Sequence, residues 1–260
     1  MFRGYLRMRV IHRLESQGAF LFRWRSFLPL LLIPLGVPAL FEAAHIESII
    51  GEELDDLLSL GCFALSLSGL ALRAATVGFV PSGTSGRNTS EQRANVLNTT
   101  GLYSIVRNPL YLGNFIVIFG LVMAIKVWWF ILIVALMYWL YIERIIAVEE
   151  AYLSAKFGPD YDDWVRMTPC FVPKFRLWKP PAEKFSFRTV LRREYNGLFV
   201  LVLAYLILDV LTDTIADNES VAEWAERDYL WLGIAAVGTV IFFSLRTLKK
   251  QTRLLHVEGR

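Results

Sequence analysis

Apolar residues fall into six long blocks, roughly 27–44, 57–80, 110–125, 127–148, 197–212 and 229–246, with polar stretches between them. About 20 apolar residues in helical conformation are enough to cross a bilayer. The pattern therefore predicts an all-α integral membrane protein with about six transmembrane helices. Pro29, Pro34 and Pro38 predict a kink in the first, because neighbouring helices can repair the backbone bonds that proline removes. The third and fourth blocks are parted only around Lys126, so they read as a tight helical hairpin whose first arm is marginal in length. Residues 81–100 (PSGTSGRNTSEQRANVLNTT) are polar and rich in Gly and Ser, which marks a loop. The SGTSG within it lacks the Gly-Lys-Ser/Thr ending of a phosphate-binding loop, so it reads as a linker.

Composition narrows the class. The 260 residues are 55% hydrophobic and 20% charged. A soluble domain carries about 45–50% apolar and about 25% charged residues. That excess excludes an ordinary soluble domain and a disordered chain. Two cysteines, Cys62 and Cys170, exclude a disulfide scaffold. His12, His45 and His256 are scattered without metal-ligand spacing, so no metal is expected, and nothing points to a nucleic-acid partner.

Charge distribution predicts orientation. Of the 27 Lys and Arg, only Lys126 and Arg227 lie on one side of the predicted spans and Arg73 and Arg144 lie within them; all the others share the opposite side. Basic loops stay cytoplasmic, so both termini are expected there. The loops 45–56 and 213–228 on the other side are acidic. The first 26 residues mix Arg with Phe, Leu, Met and Trp and lack a small-residue cleavage site. They read as a basic cytoplasmic flank or a helix lying on the anionic inner leaflet. The resulting division is 1–26 as this basic segment and 27–56 as the first span with its acidic loop. Residues 57–184 form a central unit, and 185–260 hold two additional spans and a cytoplasmic tail.

Two stretches carry candidate chemistry. In GLYSIVRNPLYLGN, residues 101–114, Pro109 suits the first position of a helix and Asn108 suits the N-cap before it. With Arg107 alongside, such a helix end attracts a carboxylate or phosphate. Gly113 permits close approach of a ligand or another helix. In YIERIIAVEEAYLSAKFGPDYDDW, residues 141–164, Glu143, Arg144, Glu149 and Glu150 follow an apolar run. A charge at membrane depth costs about 2.5–3.5 kcal/mol, so such residues mark a functional site by default. At 100° per residue Glu143 and Glu150 fall about 20° apart, while Arg144 and Glu149 point elsewhere. The helix is expected to end at Gly158 before Pro159.

Gly101, Tyr103, Arg107, Pro109, Tyr111 and Gly113 follow the pattern G-x-Y-x-x-x-R-H-P-x-Y-x-G, with Asn108 in place of His. Glu149, Glu150, Leu153, Phe157, Gly158 and Tyr161 follow E-E-x-x-L-x-x-x-F-G-x-x-Y, with Pro169 downstream. Residues 57–175 thereby resemble the isoprenylcysteine carboxyl methyltransferase family and the related phospholipid methyltransferases. The resemblance implies an integral-membrane enzyme using S-adenosylmethionine at the cytoplasmic face, beneath a covering segment. It implies a cofactor site formed by Tyr103, Arg107, Asn108, Pro109, Tyr111, Gly113, Glu149, Glu150 and Tyr161, and catalytic roles for Arg144 and Glu150, with Arg144 meeting an anionic acceptor. Trp164 stands where a second aromatic, often Tyr, is expected. Asn108 cannot titrate near neutrality, which removes any acid–base role from that position.

Methyl transfer from a sulfonium to an anionic oxygen needs positioning of the two reactants and no general base. An amine acceptor would need deprotonation. The implied acceptor is a membrane lipid or a lipidated molecule entering from the bilayer. Two other classes stay open from sequence: a membrane reductase of the sterol type using NADPH, and a non-enzymatic transporter or assembly subunit.

Overall fold

The computed structural model describes residues 18, 20, 21, 32–81 and 96–257. The basic segment 1–26, the start of the first span and the SGTSG linker fall largely or wholly outside these residues. Among them the fold is all-helical. The helices are α1 (Ile33–Ile50), α2 (Glu52–Gly78), α3 (Leu102–Ile105), α4 (Pro109–Met123), α5 (Trp128–Phe157), α6 (Pro159–Met167), α7 (Phe187–Ala216), α8 (Val221–Arg227) and α9 (Tyr229–Gln251).

Four of them, α2, α5, α7 and α9, are long and apolar enough to cross a membrane. Their exposed residues explain the apolar excess. On α5, Trp128, Leu132, Leu136, Trp139 and Leu140 recur at helical spacing and stay exposed, as expected of a stripe facing lipid tails. The expectation of about six spans becomes these four plus α4, which is apolar but shorter, and α1. At 1.5 Å per residue, the 15 residues of α4 reach about 22 Å, short of the roughly 30 Å hydrocarbon core.

The acidic loop expected over 45–56 is not a loop. α1 runs on to Ile50, Gly51 turns the chain at φ +84°, and α2 begins at Glu52. Glu47 and Asp55 are consequently buried on helices instead of solvated in a turn. Asp55 is balanced from a distance in sequence by Lys126, whose Nζ sits 2.7 Å from it. Lys126 occupies the α4–α5 turn at φ +62°. The other predicted ends hold better: α5 stops at Gly158, φ +54°, and Pro159 opens α6.

The core sits where α4 meets its neighbours. Ala39 and Ala43 of α1 pack on Val122, Ile125, Val127, Phe130 and Val134 around the hairpin turn. Tyr205 of α7 stacks on Trp231 of α9 at 5.5 Å, with Phe63 of α2 edge-on to both. Ser66 donates to the Val117 carbonyl at 2.9 Å and lies 3.0 Å from the Tyr205 hydroxyl, joining α2, α4 and α7.

α2 and α4 cross at glycines. A Cβ on Gly69 would lie 2.6 Å from the Gly113 carbonyl oxygen and 2.8 Å from the Val117 nitrogen. Those are backbone atoms and cannot swing aside, and forced overpacking typically costs about 1–3 kcal/mol. Gly69→Ala is expected to lower the thermal midpoint of the protein in micelles by several degrees. Gly61→Ala, on the same helix with open space around it, serves as the control and should leave the midpoint unchanged or raise it slightly, since alanine is the better helix former.

Candidate functional site

The site grows from the turn before α4. Gly101, at φ +59°, starts the short helix α3, and Val106 returns to extended backbone. Residues 168–181 strap this turn down through main-chain bonds. The Arg107 N–H donates to the Pro169 carbonyl at 2.9 Å, the Lys174 N–H to Ile105 and the Gly101 N–H to Lys179, both at 3.0 Å. Lys179 N–H also reaches the Ser104 hydroxyl at 2.9 Å. From above, α6 lays Trp164 on the turn, its indole N–H donating to the Tyr103 carbonyl at 3.1 Å. α6 and the strap thus both bond to the first motif.

The hairpin brings the two motifs together. Arg107 Nη2 lies 3.0 Å from Glu150 Oε1, both side chains mostly buried. Arg107 Nη1 reaches the Val165 carbonyl at 3.4 Å. Tyr161 of α6 is buried against Trp164, ring centroids 5.7 Å apart, and within electrostatic reach of Glu150 and Arg107. Burial, then the Glu150 carboxylate, push the Tyr161 phenol above its ordinary range, so it stays protonated at neutral pH. Burial and Glu149 do the same to Tyr103.

Three buried polar atoms meet here without a hydrogen-bond partner: Arg107 Nε, Glu150 Oε1 and Tyr161 OH. Glu150 Oε1 is close to Arg107 but out of line for a hydrogen bond, so the contact is an ion pair only. Unsatisfied buried polar groups cost about 1–3 kcal/mol each, and more when charged. Three of them lie in one place, two able to donate and one able to accept, and groups of this kind could meet a zwitterionic ligand.

The remaining candidates divide. Tyr111 donates to Glu149 at 2.6 Å, and the Tyr138 hydroxyl donates to the Tyr111 carbonyl at 2.8 Å. Pro109 is fully buried at the first helical position. Asn108 holds the N-cap position, but its side chain does not cap; its amide donates to the Cys170 carbonyl at 3.1 Å and ties the strap to α4. Gly113 packs against α2. A Cβ there would lie 2.6 Å from Arg73 Cγ and 2.9 Å from the Gly69 carbonyl, so its small size serves helix packing. Arg144 donates to the Leu140 carbonyl one turn back on its own helix at 2.6 Å, and Glu143 is exposed. Residue 18 lies against the same turn, at Arg144 and Val148. The sequence reading missed Cys170 and the Val165 carbonyl, which act through main-chain atoms that leave no residue-type signal.

Tyr111→Phe isolates one of these contacts. It removes the hydroxyl that holds Glu149, worth roughly 1.5–3 kcal/mol for a bond to a charged group. Activity is expected to fall about tenfold to a hundredfold with folding intact, read from steady-state rates and a thermal melt.

Residues 64–160 match the phospholipid methyltransferase family, and the two-motif resemblance to it and to the isoprenylcysteine carboxyl methyltransferases stands. Among the described residues the chain is helical, and four of its helices are long and apolar enough for an integral membrane protein. It is 37% identical over 117 residues, 44% of the chain, to the nickel-cobalt-cadmium resistance protein NccN of Alcaligenes xylosoxydans xylosoxydans. Over 90 residues, 35% of the chain, it is 33% identical to the cobalt-zinc-cadmium resistance protein CzcN of Cupriavidus metallidurans. Over 79 residues, 30% of the chain, it is 34% identical to the protein-S-isoprenylcysteine O-methyltransferase of Schizosaccharomyces pombe. The matched stretches span 52%, 41% and 34% of those three proteins. No solved structure matches the chain.

Proposed function

We propose that the protein is an S-adenosylmethionine-dependent membrane methyltransferase acting on a lipid or lipidated acceptor, with its site at the cytoplasmic face. The observation that carries this is the cradle of Arg107, Glu150 and Tyr161, each with one buried polar atom that lacks a hydrogen-bond partner, inside the stretch that matches the family. When bound, the cofactor supplies a methyl group on a positively charged sulfur. In this chain Glu150 would take the cofactor's ammonium, and Arg107 and Tyr161 would donate to its carboxylate. Tyr111 fixes Glu149 beside them. α6 and the 168–181 strap keep water from this end of α4, which strengthens each of those contacts. Tyr103 joins the same wall through Trp164. In this reading Arg144, on the lipid-proximal turn of α5, faces an incoming anionic acceptor. The basic flanks support the cytoplasmic placement of this end.

The test is direct. Purified protein in micelles should bind S-adenosylmethionine saturably in calorimetry and show no competition by NADPH. Incubated with methyl-labelled cofactor and a membrane extract, it should label a lipid-soluble fraction. Release of the label as methanol by mild base identifies a carboxylate ester, and base-stable label leaves a lipid phosphate or a lipid amine, which mass spectrometry of the labelled lipid tells apart. Folded protein that binds no S-adenosylmethionine refutes the proposal.

A further inference from the structure

Most of the large exposed apolar side chains lie on the long helices, where lipid tails account for them. The strap between α6 and α7 is different. Val172 is 74% exposed, Phe175 77% and Trp178 50%, and none of them belongs to a helix that could reach the hydrocarbon core. Phe175 opens a three-residue 3-10 turn, Phe175–Leu177, and Phe187, 73% exposed, opens α7. Exposed apolar groups gathered in this way mark a surface that meets a partner or a membrane.

Main-chain bonds fix the level of this segment. The Lys174 N–H donates to the Ile105 carbonyl at 3.0 Å, just before α4 begins. The Ser186 N–H donates at 2.9 Å to the carbonyl of Gly78, the last residue of α2. Ser186 in turn caps α7, its hydroxyl accepting from the Thr189 N–H at 3.3 Å. Phe185 packs edge-on to Phe79, centroids 5.0 Å apart, and fits against Gly78, where a Cβ would overlap its ring. The strap is thus tied to the ends of three apolar helices, two of them long enough to cross a membrane. Irregular main chain is not tolerated among lipid tails. A segment at that level lies in the headgroup layer, where amphipathic aromatics are enriched.

Charge supplies an independent observation. Residues 168–188 hold five Lys and Arg against one acid, Glu183. Lys174, Arg176 and Lys179 are exposed and alternate with Phe175 and Trp178. The matching surface is apolar beneath and negative above, as an anionic leaflet is.

We propose that the strap docks on the membrane. Phe175 and Trp178 insert among the headgroups of the leaflet they adjoin, and Lys174, Arg176 and Lys179 hold its anionic lipids. The same strap takes the Arg107 N–H on the Pro169 carbonyl and the Asn108 amide on the Cys170 carbonyl. Docking therefore steadies the turn that leads into α4. Hydrophobic blocks gave no hint of this surface, because its apolar residues stand singly between charges.

The full chain, labelled with 5-fluorotryptophan, is placed in nanodiscs of phosphatidylcholine mixed with phosphatidylglycerol. The Trp178 fluorine resonance is assigned by its loss in Trp178→Phe. A nitroxide at the top of the lipid acyl chains is expected to broaden it, and a paramagnetic chelate in the water is not. Amide hydrogen exchange over residues 172–180 should be at least about threefold slower in the mixture than in phosphatidylcholine alone, and the difference should shrink in high salt. Lys174→Gln/Arg176→Gln/Lys179→Gln should abolish the difference and melt like wild type in micelles, because all three residues are exposed. Broadening by the aqueous chelate alone overturns the proposal. So does shielding from both agents, which would mean that protein covers the patch, whether another partner or a second copy of the chain. Exchange that is equal in the two lipid compositions overturns it as well. If the triple variant fails to fold, the salt dependence on the wild-type chain decides the matter. No readout uses a cofactor, so the result stands apart from the methyl-transfer proposal.

Discussion

Arg107→Ala and Glu150→Ala are each expected to weaken S-adenosylmethionine binding by about tenfold to a hundredfold, and labelled-methyl transfer by at least as much. A charge-assisted hydrogen bond contributes roughly 1.5–3 kcal/mol, which converts to that range. Each substitution also leaves its partner charge half-buried and unpaired, adding to the loss. Glu150→Gln keeps the volume and one acceptor oxygen, so it should fall between wild type and Glu150→Ala. Tyr161→Phe removes a neutral donor and should cost less, about three- to tenfold. The strap bonds to residues 101–108 run mostly through main-chain atoms, so Glu150→Gln and Tyr161→Phe should melt within a few degrees of wild type, while the two alanine variants, each leaving a charge without its partner, should melt lower but still fold. Normal affinity in both alanine variants, with intact folding, would remove the cradle from the cofactor site.

Much of this site was legible from sequence because one hairpin does the positioning. From Pro109 the chain climbs about 25 Å to the Lys126 turn at 1.5 Å per residue. α5 returns that distance by about residue 145, which leaves Glu149 and Glu150 one turn beyond, level with Arg107. That arithmetic needs only the apolar blocks and the break between them. Details that depended on partners elsewhere were not legible. Asn108 has the right identity for a cap, but a carbonyl in the strap claims its amide. Gly113 suits a ligand or a helix equally, and the close approach of Gly69 and Arg73 that uses its small size comes from a separate helix. The acids of 45–56 read as a solvated loop because polar residues normally mark one. Lys126, 71 residues beyond Asp55, is what lets a helix carry them inward.

The second large effect concerns Arg73, which lies within a span and reads from sequence as an anchor or an anion contact. The structure commits it internally. Its Nε and Nη2 donate to the two Glu194 oxygens at 2.8 and 2.9 Å, and Nη1 donates to the Asn114 carbonyl oxygen. This bidentate pair joins α2 and α4 to α7, the first helix outside the family-like core. Breaking a buried pair by removing one member typically costs about 3–5 kcal/mol, because the survivor stays buried and charged. Arg73→Leu and Glu194→Leu should each lose stability on that scale in micelle unfolding. The Arg73→Leu/Glu194→Leu double variant should recover most of it, since an apolar pair is often as stable as the ion pair it replaces. A residual deficit of about 1–3 kcal/mol is expected from Asn114, left without its donor. The Arg73 stem also abuts Gly113, one turn from Pro109, so the pair fixes the height at which α4 presents Arg107. Cofactor binding should accordingly fall in the single variants and return with stability in the double. Additive single losses would show that the two residues act independently, and binding that stays lost in a stable double variant would mean that Arg73 itself meets the ligand.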